Sequence, residues 1–146
     1  METLLVVLHV VTAVFIVGPM AILPMTAMRA VRAGNASQVR TLATSTNLLS
    51  LLSLLVVVFG FGAMGLADEK YHLSVTTPWI LWSIVAYMIA LGLTLFLVVP
   101  TMRRAADGLE APSGDQPEAA YPAIAAGSGI ASLLLVLVVV LMVWKP

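Results

Sequence analysis

Four long stretches without a charged residue constrain the fold of this sequence more than any other feature. They cover residues 4–28, 42–66, 79–99 and 122–144. Each is long enough to cross the hydrocarbon core of a bilayer, about 30 Å thick, which takes about 20 residues as an α-helix. Backbone polar groups cannot remain unpaired in lipid, so a helix is the expected form of each span. The sequence therefore predicts an all-α polytopic membrane protein, one domain over residues 1–146 with four transmembrane helices in one bundle.

The composition supports a membrane protein and excludes several other classes. Of the 146 residues, 61% are hydrophobic and 10% are charged, whereas soluble domains have about half and about a quarter. The formal net charge is zero, which gives no bulk attraction to nucleic acid. The chain has no cysteine, which excludes disulfides, thiolate metal sites and thiol catalysis.

The connections between the spans differ in charge, and this difference predicts the orientation. The second connection carries Asp68, Glu69 and Lys70, whereas all five arginines lie in the first and third connections: Arg29, Arg32, Arg40, Arg103 and Arg104. The positive-inside rule places the arginine-rich connections in the cytoplasm and both termini outside. Residues 105–120 mix proline, glycine, serine and acidic residues, which favours a mobile cytoplasmic linker.

Small and hydroxyl-bearing residues recur on one face of the second and fourth spans. Such faces allow helices in lipid to approach closely and to form hydrogen bonds across the contact. The residues expected to pack in this way are Ser50, Ser53, Gly60, Gly127 and Ala131. The pattern alone leaves open whether they face the chain's own bundle or a neighbouring subunit.

Prolines interrupt the first span, and a kink is expected there. Gly18, Pro19 and Pro24 all lie within it, and proline removes a backbone donor and clashes with the preceding turn. Pro100 is expected only to end the third helix. We therefore expect no matching interruption in a second half of the chain, and no internal repeat.

No Asp, Glu, Lys or Arg lies inside a predicted span, and His9 is the one histidine there. Two roles are open for it. It can form a hydrogen bond with a neighbouring helix or a partner subunit. Alternatively it can bind haem, with His72 as the conceivable second axial ligand. The sequence offers no paired acids, no serine–base pair and no metal-ligand motif. We therefore expect no catalytic residue, no metal site and no enzymatic activity.

The first span also carries a resemblance to known families. Its pattern LHxxxAxxxxG, from Leu8 and His9 through Ala13 to Gly18, with a basic loop and three further spans, resembles small four-helix predicted integral-membrane proteins of unknown function from bacteria, actinobacteria in particular. That resemblance implies a multi-pass protein of the bacterial inner (plasma) membrane. The chain is more loosely similar to the copper-resistance D and protoporphyrinogen-oxidase-like membrane families, which implies haem at His9.

The expected function is that of a non-catalytic accessory or assembly subunit in a larger bacterial membrane complex, such as a respiratory complex. In this role the chain needs no cofactor; its partners are the lipid bilayer and other membrane subunits, without nucleic acid. One alternative is a b-type haem redox protein that uses His9. A second is a homo-oligomeric small-solute transporter or sensor that uses the hydroxyl groups of Thr46, Ser50 and Ser53.

Overall fold

The computed structural model describes residues 1–111 and 120–146, with the side chains of all these residues except 68–71. The described residues contain no strand. They form six α-helices and two π-helical turns: α1 (Glu2–Thr12), a π turn (Ala13–Val17), α2 (Gly18–Arg32), α3 (Ala36–Tyr71), α4 (Pro78–Leu93), a π turn (Thr94–Val98), α5 (Val99–Glu110) and α6 (Tyr121–Trp144). They join into four continuous helices that are long and apolar enough to cross a membrane. We number these helices one to four: Glu2–Arg32, Ala36–Ala67, Pro78–Glu110 and Tyr121–Trp144. The predicted all-α, four-span fold is thus confirmed.

The turn between the first two spans is fixed by two adjacent residues. Gly34 has a φ of +68°, a conformation that glycine adopts without the steric cost of a Cβ atom, and it follows the end of α2. The backbone N–H of Gln38 donates a hydrogen bond of 3.0 Å to Asn35 Oδ1, which caps the first turn of α3. Helices one and two therefore form a tight antiparallel hairpin.

Both π turns precede a proline by the same spacing. The first ends two residues before Pro19, and the second ends two residues before Pro100. A proline ring clashes with the carbonyl four residues earlier, and the wider π turn relieves the clash without ending the helix. The expectation that Pro100 ends helix three is therefore wrong: that helix continues to Glu110. The interruption in helix one has a counterpart in helix three.

The predicted linker also begins later than expected. Residues 105–110 are helical, because α5 extends to Glu110. Ala105 and Ala106 are buried in the core, which fixes this part of α5 against the bundle. Glu110 accepts a hydrogen bond of 2.8 Å from Arg40 on α3. The remainder of the predicted linker, residues 112–119, lies outside the described residues.

The four helices pack as two antiparallel hairpins, which we call hairpin A (α1 to α3) and hairpin B (α4 to α6). All five arginines lie at one end of the bundle, the arginine end, and Trp79 and Trp144 lie at the other, the tryptophan end. Lys145 Nζ lies 5.8 Å from the ring centroid of Trp79, so α6 ends beside the start of α4. Both termini are therefore at the tryptophan end.

The two hairpins share a core in the arginine half of the bundle. One cluster of buried small and apolar side chains joins α2, α3, α5 and α6: Ala27, Ala30, Val31, Val39, Ala43, Val98, Met102, Ala105, Ala106 and Ile124. A second cluster lies nearer the middle of the helices and consists of Met20, Tyr87, Ala90, Leu91, Ala131 and Leu135. The two hairpins are thus packed against each other mainly in the arginine half.

In the tryptophan half, close packing occurs mainly within each hairpin. Over the described part of the chain, α1 approaches α3 closely and α4 approaches α6 closely, with little backbone approach between the pairs. No residue of α1 is buried. The half of helix one at the tryptophan end is therefore packed closely against α3 alone.

Candidate functional site

His9 lies in the contact between α1 and α3, and a glycine on α3 makes room for its ring. Its Nδ1 atom is 2.7 Å from the backbone carbonyl oxygen of Val56. A Cβ atom at Gly60 would lie 3.0 Å from His9 Cε1 and 3.1 Å from His9 Nδ1. The absence of a side chain at Gly60 therefore allows the imidazole to reach the backbone of α3.

The partner of Nδ1 determines which ring nitrogen of His9 carries the proton. A carbonyl oxygen only accepts hydrogen bonds, so Nδ1–H is the donor to Val56. In the neutral imidazole, Nε2 then holds a free lone pair. The same arrangement orients metal-binding histidines in general, whose second nitrogen often donates to a backbone carbonyl. His9 is thus a packing contact between helices, and its Nε2 takes no part in that contact.

The structure does not bring His72 close to His9. His72 follows the end of α3, with an exposed side chain and a φ of +49°. Gly60, the residue against the His9 ring, lies twelve positions earlier on this helix. At 1.5 Å per residue that separates the two positions by about 18 Å along the helix axis. The two histidines therefore do not form a bis-histidine haem pocket.

The hydroxyl-bearing seam of helix two lies entirely inside the bundle. Thr46, Ser50 and Ser53 are completely buried, and Ser50 Oγ donates to the carbonyl of Thr46. Ser53 Oγ donates to the carbonyl of Ser50 at 2.6 Å and, with its proton so engaged, accepts from Tyr87 Oη at 2.6 Å. The Ser53–Tyr87 bond joins hairpin A to hairpin B. These hydroxyls serve helix packing, and their engagement gives a solute pathway no support.

The small residues of helix four also face the bundle. A Cβ atom at Gly127 would lie 2.9 Å from Val98 Cγ2 and 3.0 Å from Leu97 Cδ2. Ala131 is buried in the second core cluster, beside Tyr87 and Ala90 of α4. Both positions therefore permit close approach of α6 to helix three near its π turn.

In helix one, where the sequence predicts a kink, a π turn ends immediately before Gly18. A Cβ atom at Gly18 would meet no other atom within 4 Å, so packing does not demand glycine there. Pro24 is buried within α2, and the helix continues through it to Arg32.

Two partners in these contacts, Val56 and Tyr87, were not predicted from the sequence, and Pro100 was predicted with the wrong role. A carbonyl acceptor such as that of Val56 leaves no signal in residue type. The role of Pro100 had a signal, because Phe15–Pro19 is FIVGP and Phe96–Pro100 is FLVVP. Among the described residues, no group of three or more His, Cys, Asp or Glu side chains is placed to hold a metal ion.

Four apolar helices in two hairpins, with their arginines at one end, define a small polytopic integral membrane protein. Residues 3–146 match the family described as "Predicted integral membrane protein (DUF2269)". The chain belongs to this family, whose function is unknown. Neither the curated proteins nor the solved structures contain a match to the chain.

Proposed function

We propose that this protein is a non-catalytic accessory or assembly subunit of a larger membrane complex, with a bacterial respiratory complex as the first host to test. The observation that carries the proposal is the loose attachment of α1. It contains no buried residue and packs closely only against α3. A partner helix that covers α1 would complete the packing of the outer half of helix one.

The proposal includes an orientation in the plasma membrane with both termini outside. The structure supports it because the arginines of the first and third connections lie at one end of the bundle. There the guanidinium of Arg32 lies 4.6 Å from the ring centroid of Tyr121, and Arg40 is paired with Asp107 and Glu110. The positive-inside rule assigns this end to the cytoplasm.

Site-specific photo-crosslinking in native membranes tests whether a partner helix covers α1. A photoreactive residue at Val7 on α1 is compared with one at Val139 on α6, because the two side chains have similar exposure, 50% and 60%. We expect Val7 to give one discrete adduct with a second membrane protein, and Val139 to give mainly lipid adducts. Lipid adducts alone from both positions would contradict the proposal.

A second candidate is a haem-binding redox protein, and the hydrogen bond of His9 to Val56 favours it. That bond leaves Nε2 available, which fits one axial ligand from this chain. Since His72 lies beyond the end of α3, a second ligand would have to come from a partner or from solvent. Haem bound there would supply one-electron transfer.

The difference spectrum of dithionite-reduced minus oxidised purified protein tests this candidate. Haem bands that disappear in the variant His9→Ala would support it. The matched control is Thr12→Ala, since Thr12 lies one turn further along helix one and donates only to the carbonyls of its own helix. Absence of haem bands, or bands that persist in His9→Ala, would eliminate it.

A further inference from the structure

An open cavity of about 420 Å³ lies at the arginine end, between the start of α3 and the end of α5. Its lining consists of Ser37, Arg40, Thr41, Thr44, Ser45 and Glu110. The lining residues on α3 lie between positions 37 and 45, and Leu42, the first residue of the second apolar stretch, lies among them. The cavity is therefore at the depth where lipid headgroups meet acyl chains.

The charged groups at the cavity are negative in balance. Arg40 and Glu110, which pair at 2.8 Å, line it with one charge of each sign, and Asp107, outside the lining, binds Arg40 at 2.9 Å and adds a second negative charge beside it. The hydroxyl protons of Thr41 and Thr44 are engaged, because each donates to the carbonyl four residues earlier in α3. Their oxygen atoms can therefore accept a hydrogen bond from an incoming donor. The site suits a ligand that brings N–H groups.

The same face of α3 changes from polar to apolar with depth. At helical spacing, the hydroxyl-bearing residues are followed by exposed leucines: Leu48, Leu52 and Leu55. Residues at these spacings of three and four lie on one side of a helix. The face therefore matches a molecule with a polar head and an apolar chain that lies parallel to the helix.

We propose that this cavity binds the headgroup of a phospholipid with a primary amine, a phosphatidylethanolamine, with an acyl chain along the leucines of α3. The ammonium donates to Glu110 and to the threonine oxygens. The phosphate accepts from the remaining N–H groups of the Arg40 guanidinium, which has five. A choline headgroup has the same charges but no N–H donor, so the cavity discriminates between the two lipids.

Native mass spectrometry of the delipidated full-length protein, titrated with single lipids, tests the proposal. Phosphatidylethanolamine, phosphatidylcholine and phosphatidylglycerol with identical acyl chains are the probes. We expect phosphatidylethanolamine to bind roughly fivefold more tightly than phosphatidylcholine, as one exposed charge-assisted contact allows. Glu110→Gln is expected to abolish most of this preference. The matched control Glu2→Gln, the same change at the other end of the molecule, is expected to preserve it.

Three results would overturn the proposal. Equal affinity for the ethanolamine and choline lipids would show that donors are not recognised. A preference for phosphatidylglycerol would indicate binding by the exposed arginines instead. A preference for phosphatidylethanolamine that survives both Glu110→Gln and the double variant Thr41→Val/Thr44→Val would place the site elsewhere. A thermal melt of each variant identifies any that fails to fold, and the remaining variant then decides.

Discussion

The contact between His9 and Gly60 joins α1, at the tryptophan end of helix one, to helix two. It needs both a ring that donates from Nδ1 and a position on α3 without a Cβ atom. Because α1 packs closely on α3 alone, the contact holds a helix that has few other attachments.

Gly60→Ala tests that contact. The added methyl group would push the His9 ring away from α3 by a few tenths of an ångström and strain its bond to Val56. We therefore expect a loss of stability of about 1–3 kcal/mol from overpacking, partly offset by the helix preference of alanine. Gly65→Ala on the same helix is the control, because a Cβ atom there meets nothing within 4 Å. Unfolding of both variants by sodium dodecyl sulfate in mixed micelles measures the difference. Equal stability of the two would refute the packing role.

The hydrogen bond between Ser53 and Tyr87 is a second contact that can be measured at this scale. We expect Ser53→Ala and Tyr87→Phe to be coupled by about 0.6 kcal/mol, and at most about 1.7 kcal/mol, as for other hydrogen bonds between transmembrane helices. A double-mutant cycle on the free energy of unfolding measures the coupling. Strict additivity of the two variants would mean that the bond does not contribute to stability.

The packing role of individual residues was predictable where a small side chain or a hydroxyl group recurs at helical spacing. Ser50, Ser53, Gly60, Gly127 and Ala131 were singled out by size and helical spacing, and the structure places all of them between helices. The partners were not predictable, because a backbone carbonyl such as that of Val56, or a tyrosine on another hairpin, depends on how the helices are rotated. Residue spacing shows which side chains share one face of a helix, but it does not show which helix packs against that face.

At the scale of elements, the two π turns are the feature that both hairpins share. Each lies in the first helix of its hairpin, two residues before a proline. A proline in the middle of an apolar run gives a sequence signal of a break, whereas the structure accommodates it with a wider turn. Helix three could therefore not be followed past Pro100 from local rules, although the FxVxP pattern common to both helices was available.

Gly127→Ala tests the close approach of α6 to the second π turn. Its Cβ atom would lie within 3.0 Å of Val98 and Leu97 side-chain atoms, both on the neighbouring helix. We expect a loss of about 1–3 kcal/mol. Gly129→Ala, two residues further along the same helix, meets nothing within 4 Å and is expected to be neutral or slightly stabilising. The thermal midpoints of the two variants in detergent give the comparison, and the opposite order would contradict the packing.

At the scale of the whole molecule, charge and hydropathy were the most informative parts of the sequence. They predicted four spans because the hydrocarbon core excludes charges over a fixed length. Charge and hydropathy could not predict that the two hairpins pack against each other mainly in the arginine half. A leucine that faces lipid and a leucine that faces another helix have the same hydropathy, so the pattern does not distinguish them.

Cysteine labelling tests the proposed orientation, and the chain offers a clean background because it contains no cysteine. Thr3→Cys and Val75→Cys, exposed at the tryptophan end, are expected to react with a membrane-impermeant maleimide in intact cells. Gln38→Cys, exposed at the arginine end, is expected to react only after permeabilisation. The reverse pattern would invert the topology and contradict the positive-inside assignment.

The native mass of the protein, gently solubilised from its own membranes and analysed with the chains that accompany it, tests the proposed role as an accessory subunit. We expect a species well above the 15.4 kDa of the single chain, with a second, different membrane protein in fixed stoichiometry. A species that contains this chain alone, as a monomer or as a homo-oligomer, would contradict the proposed role as an accessory subunit.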